Sequence, residues 1–170
     1  MSKWISIIVL LTLLPTTVFG QEWSPDNHQK EEVEKLYKAY FFVKDKSDFK
    51  KAYSYLTPAT KQLINYDRWV EITTESNKVS GSIISREIRK VTWYNNPPGS
   101  ESPGIYAAID FKGQTEKANI YCGYLIWKQM NDGSFALLRE EQGVINKVDE
   151  KSLQEEGKLE EFKANIGCSF

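Results

Sequence analysis

Residues 118–146 read ANIYCGYLIWKQM, then Asn131-Asp132-Gly133, then SFALLREEQGVIN. Two runs rich in β-branched and aromatic residues on either side of an Asp-Gly turn are a strong short-range hairpin signal. The spacing predicts long antiparallel strands from about Ala118 to Met130 and from Ser134 to about Asn146. Both faces of the first run carry bulk, with Ile120, Tyr124 and Ile126 on one side and Tyr121, Leu125 and Trp127 on the other. Such a strand is central in its sheet or covers a partner on its second face.

Upstream of the hairpin, Ile105, Ala107, Ile109 and Phe111 alternate with Tyr106, Ala108, Asp110 and Lys112, the period of a half-buried strand. Before it, Ile83, Ile84, Ile88, Val91, Thr92, Trp93 and Tyr94 form another strand-like segment, which ends at Asn95-Asn96-Pro97-Pro98-Gly99. Earlier still the period lengthens. Val33, Leu36, Tyr37, Tyr40 and Phe41 line one face of a helix that starts near Ser24-Pro25-Asp26, with Lys30, Glu31, Glu34, Lys35 and Lys38 opposite. Ser47-Asp48 offers a second helix start, followed by Phe49, Ala52, Tyr53 and Leu56 on one side. Thr57-Pro58 offers a third, with Leu63, Tyr66, Trp69 and Val70 or Thr73 as its stripe.

Downstream, the polar stretch Asp149–Asn165 carries Leu153, Leu159 and Phe162 and reads as helical, with Gly157 as an interruption. Helices first, then an antiparallel meander, then a terminal helix define an α+β fold. N-terminal helices pack in a curved antiparallel four-stranded sheet, and a C-terminal helix follows.

The chain has 170 residues, enough for one domain. Its 22 basic and 23 acidic residues supply no net basic field, so a nucleic-acid partner is not expected. At the N-terminus Lys3 precedes the apolar run Trp4–Leu14, Pro15, and Val18-Phe19-Gly20 before Gln21. This is the pattern of a secretory signal peptide, with cleavage between Gly20 and Gln21. The run falls short of the about 20 apolar residues that a membrane span needs. The expected organisation is a signal peptide over 1–20, an α+β domain over 21–147 and a helical extension over 148–170. After cleavage no stable membrane insertion is expected, and the destination is periplasmic or secreted.

The combined pattern resembles the nuclear transport factor 2-like (cystatin-like) superfamily. More narrowly, it resembles small exported bacterial proteins grouped as domain of unknown function 4019. The residues that carry this are Asp48-Phe49-Lys50-Lys51-Ala52-Tyr53, the Trp69 helix leading to Gly81, the Arg86 strand, the Pro98-Gly99 turn before Gly104-Ile105-Tyr106, and Asp132-Gly133-Ser134-Phe135. They span roughly Asp45 to Ile145. Two positions depart from the family pattern: Phe135 stands where Trp is favoured, and Asn119 where an acidic residue is. The resemblance implies a cone fold and export, and it implies no catalytic residues.

An exported chain with two thiols in an oxidising compartment is expected to join Cys122 to Cys168. The competing state is a buried Cys122 with Cys168 free or paired between molecules. His28, the only histidine, reads as a surface or capping residue. No metal site and no cofactor are expected, since one His cannot build a multi-histidine zinc centre and no phosphate-cradling glycine loop is present. Carboxylate catalysis is carried by weaker candidates: Asp110 with Tyr106 on one strand face, Asp67 after Tyr66, and Glu140 or Glu141 midway along the last strand. Burial inside a cone would raise such a carboxyl toward neutrality. The competing fate is a solvated charge, or pairing with Arg86, Arg89 or Arg139.

These features point to a non-enzymatic module that binds a small molecule or a protein. The alternative is a small cofactor-free isomerase or hydrolase using a carboxylate and a Tyr. The excess apolar surface of the sheet further points to a homodimer through its outer face.

Overall fold

The computed structural model describes residues 21–100 and 102–169. The signal-peptide segment 1–20, including Gly20 of the expected cleavage site, lies outside the described residues. Helix α1 (Asn27–Asp45) starts at Asp26, whose side chain accepts from the Gln29 amide in a reciprocal capping box. Helix α2 (Phe49–Ser54) is capped by Asp48 and α3 (Pro58–Leu63) by Thr57, with Pro58 in the first turn as expected. The third expected helix divides in two. Ile64 is extended, and the Asn65 side chain accepts from the Arg68 amide, so α4 (Tyr66–Ser80) begins as a separate element. Gly81, at φ 74°, ends it.

Four long antiparallel strands follow: β2 (Ile83–Asn95), β3 (Ile105–Thr115), β4 (Ile120–Gln129) and β5 (Phe135–Ile145). A two-residue strand, β1 (Gln21–Glu22), adds to β2 at the far edge, giving the order β1-β2-β3-β4-β5. Gly157 splits the C-terminal helical stretch into α5 (Lys147–Glu155) and α6 (Leu159–Asn165).

The sheet buries one face against the N-terminal helices. Val33, Tyr37, Tyr40 and Phe41 of α1, with Ala52 and Trp69, meet Trp93, Ala107, Ile109, Phe111, Tyr121, Leu125, Trp127 and Leu137. The interior is filled by edge-to-face aromatic contacts, among them Phe41 on Phe111 at 5.3 Å and Tyr40 on Trp127 at 6.3 Å. Trp93, Tyr121 and Trp127 are part of this core. The opposite face carries Ala108, Asp110, Tyr124 and Ile126, and toward its lower end the C-terminal tail lies against it. A side chain on Gly143 would meet Ile166 O at 2.9 Å and Cys168 Sγ at 3.3 Å. Cys122 and Cys168 stand there at disulfide distance, with Cα atoms 5.5 Å apart and both residues buried.

One irregularity positions a functional group. Ile126 pairs with Arg139 and Trp127 with Leu137, so Leu138 is an extra residue in β5. Counted from Phe135 and Leu137, which face the core, simple alternation would aim Arg139 and Glu141 inward. The bulge reverses this and turns Glu140 and Gln142 toward the helices.

Candidate functional site

Glu140 enters the helix-facing side of the sheet beneath α1 and meets three donors. Lys44 Nζ donates to Oε1 at 2.6 Å, the Tyr40 hydroxyl donates to Oε2, and Gln142 Nε2 also donates to Oε1. The Lys44 side chain is 7% exposed and that of Glu140 14%, so the pair is nearly withdrawn from water. Burial pushes the Glu140 carboxyl up, but the Lys44 charge and the three hydrogen bonds outweigh it and hold the carboxyl below its ordinary value of 4.5. The Tyr40 hydroxyl moves the other way, raised well above its ordinary value by burial and by the neighbouring carboxylate. The result is a phenol that stays protonated beside a carboxylate that stays charged.

A second buried cation stands on the same face. Arg86 of β2 lies over the Phe41 ring at 3.6 Å, donates to Asp45 at the end of α1 at 2.9 Å and to the Tyr121 hydroxyl at 3.1 Å. Burial opposes its charge, yet the bonds to Asp45 and Tyr121 raise its pKa. Burial raises the Tyr121 hydroxyl to about 12 against the opposing pull of Arg86.

The Lys44–Glu140 pair borders a cleft of about 560 Å³. Helix α4 contributes Trp69, Ile72, Thr73 and Ser76, and β5 contributes residues 138–142. Lys44 and Arg139 on this surface are balanced by Glu140 and Glu141, and Arg139 is ion-paired to Glu141. Within such a neutral, part-apolar, part-hydroxylic surface the lining can hold an uncharged ligand by contact and hydrogen bonding. It offers no charge for an ionic ligand to pair with.

The candidates singled out in the sequence fall in three places. Asp110 and Tyr106 share the outer face of β3, away from the cleft. The Asp110 carboxyl is raised by burial while the Lys90 ammonium pulls it down, and the Tyr106 hydroxyl donates to the Ser102 carbonyl at 2.5 Å. Asp67 is exposed in the first turn of α4. The structure therefore does not gather Asp110, Tyr106 and Asp67 at one site. Glu141 takes its expected pairing with Arg139, whereas Arg86 is engaged by Asp45. His28 is on the surface, with Nδ1 3.9 Å from Glu32. Among the described residues no group of three or more His, Cys, Asp or Glu is placed to hold a metal ion, and no helix is long and apolar enough to cross a membrane.

The sequence reading missed Tyr40 and Lys44 as site residues. A signal for Lys44 was present: it stands three and four residues after Phe41 and Tyr40, on the same helical stripe, where an apolar residue is the norm.

Fold and site together define an α+β protein whose antiparallel sheet carries a buried, hydrogen-bonded ion pair at the border of a neutral cleft. The family model described as Protein of unknown function (DUF4019) matches residues 37–138, and the chain belongs to that family. The match takes in Tyr40, Lys44 and Arg86 and stops two residues short of Glu140. No curated protein and no solved structure matches the chain.

Proposed function

We propose that this chain is an exported, nuclear transport factor 2-like binding module without catalytic activity, and that its ligand occupies the cleft between α4 and β5. The observation that carries this reading is the saturation of Glu140. Its two oxygens accept from Lys44, Tyr40 and Gln142, and its pKa moves down, away from the near-neutral range that a general acid or base requires. A carboxylate so engaged fixes α1 to β5 and shapes the cleft wall. The enzymatic alternative, a carboxylate with a Tyr, would draw on Asp110 and Tyr106, and these stand on the outer sheet face with the Tyr106 hydroxyl already spent on Ser102.

Export is supported by the N-terminal apolar run and by a cysteine pair at disulfide distance. A homodimer through the outer sheet face remains part of the reading, supported by Ala108, Tyr124 and Ile126, which stay partly exposed there. The test is native mass spectrometry of protein exported by a bacterial host, as wild type and as Ile72→Asp in the cleft wall. The expected result is a chain beginning at Gln21 with an added mass that Ile72→Asp loses. Hydrolysis of p-nitrophenyl acetate by the wild type, abolished in Glu140→Gln or Asp110→Asn, would overturn the reading.

A further inference from the structure

Strand β5 is the last in the sheet, and its free edge is treated differently above and below the bulge. Above it, the α2–α3 connection lies along the edge as an added strand: Thr57 N donates to Leu137 O at 2.9 Å, Leu137 N donates to Tyr55 O at 2.8 Å, and Leu56 pairs with Leu137 in parallel. The Thr60 hydroxyl then takes the Leu138 carbonyl at 2.9 Å. Below it the covering stops. The alternation set by Leu137, carried past the extra residue at Leu138, turns the N–H and C=O groups of Glu140, Gln142 and Val144 away from β4. Among the described residues, the backbone of 139–144 makes no hydrogen bond outside its ladder with β4.

Residues 138–142 of this edge form one side of the cleft and α4 forms the other, with Val144 just beyond the lining. On α4, Ile72 and Val79 are seven residues apart and therefore on one face, 46% and 60% exposed. Val148, at the start of α5, continues the apolar strip beside Val79. A row of unpaired main-chain donors and acceptors facing an apolar helix wall calls for a ligand with its own regular row of amides. A small molecule lacks such a row. A second copy's β5 would have to bring the α4 that flanks it into the same slot. The paired charges along the cleft favour a segment without strong net charge.

We propose that the slot between α4 and the lower edge of β5 takes an extended segment of a second polypeptide, apolar at alternate residues, which pairs with Glu140, Gln142 and Val144 as an added strand. The proposal rests on reading the cleft as a binding site, and it names the ligand class. At about 3.3 Å per residue, the free edge accommodates roughly five residues of strand.

The probe is a capped synthetic peptide of alternating Thr and Val, compared with the same peptide N-methylated on the amides that would face β5. Amide-resolved NMR on the mature protein should show the Glu140, Gln142 and Val144 amides exchanging quickly when free and about tenfold or more slowly with the peptide. The N-methylated peptide should fail to bind, because it keeps the side chains and loses the donors. Ile72→Asp should weaken the unmodified peptide about tenfold or more, as for loss of one apolar anchor. Ile72 is 46% exposed, so the variant is expected to fold, and its spectrum checks this.

Several outcomes would overturn the proposal. These are exchange of the three amides in the free protein as slow as that of Glu141 and Gly143, equal binding of the two peptides, or protection of the amides as protein concentration alone rises, which would make a second copy the occupant. If the exported protein carries a bound mass that Ile72→Asp loses while the peptide does not bind, the binding reading stands and the peptide-strand proposal falls.

Discussion

Lys44 lies on the apolar stripe of α1, in phase with Val33, Tyr37 and Phe41, and a lysine there loses most of its water. Glu140 supplies the compensating charge. When one member of such a pair is removed, the other becomes an uncompensated buried charge, which typically costs about 3–5 kcal/mol. Lys44→Met should destabilise by that amount in denaturant unfolding. Adding Glu140→Leu should return part of the loss, with Tyr40 keeping a hydroxyl that has no acceptor. A loss below about 1 kcal/mol for Lys44→Met would mean that the pair is solvated like a surface bridge. At this scale the sequence is half legible. The misfit of Lys44 on an apolar stripe can be read from spacing alone, whereas the inward turn of Glu140 depends on the extra residue at Leu138, and neither Leu137-Leu138 nor Arg139 carries a signature of a bulge.

Among the elements, caps and turns were the legible parts, because their chemistry is local. Asp26, Asp48 and Thr57 each accept a backbone amide at a helix start, and Asp132 accepts from the Ser134 amide in the β4–β5 hairpin. The division of α3 from α4 was missed because Leu63, Tyr66 and Trp69 keep helical spacing across it, although Asn65 is a good cap. Strand β1 was missed because two residues carry no period. The C-terminal elements depend on a contact distant in sequence. Cys122 and Cys168 are 46 residues apart, so a bond between them contributes on the order of 4 kcal/mol in the chain-entropy model. Cys168→Ser should lower unfolding stability by up to that amount and free the tail from Gly143, seen as faster amide exchange in α6. Unchanged stability and unchanged exchange would show that the tail docks without the bond.

For the molecule as a whole, an antiparallel sheet with the N-terminal helices packed on one face was readable from the order of periods along the chain. The location of the site was not. The cleft exists because α4 stands off from β5, and the cover on β5 ends at Thr60; both are consequences of packing with no local motif. The carboxylate bordering this cleft is ionised and held in place by Lys44, Tyr40 and Gln142. The folded pKa of Glu140 is depressed, so its contribution to stability is present above the unfolded value near 4.5 and is lost as pH falls through the lower folded value. A carbon-detected NMR titration of the Glu140 carboxyl tests this most directly. The expected midpoint lies below 4.5, with the Tyr40 hydroxyl protonated throughout. A midpoint near neutrality would overturn this structural role and return Glu140 to the candidates for proton transfer.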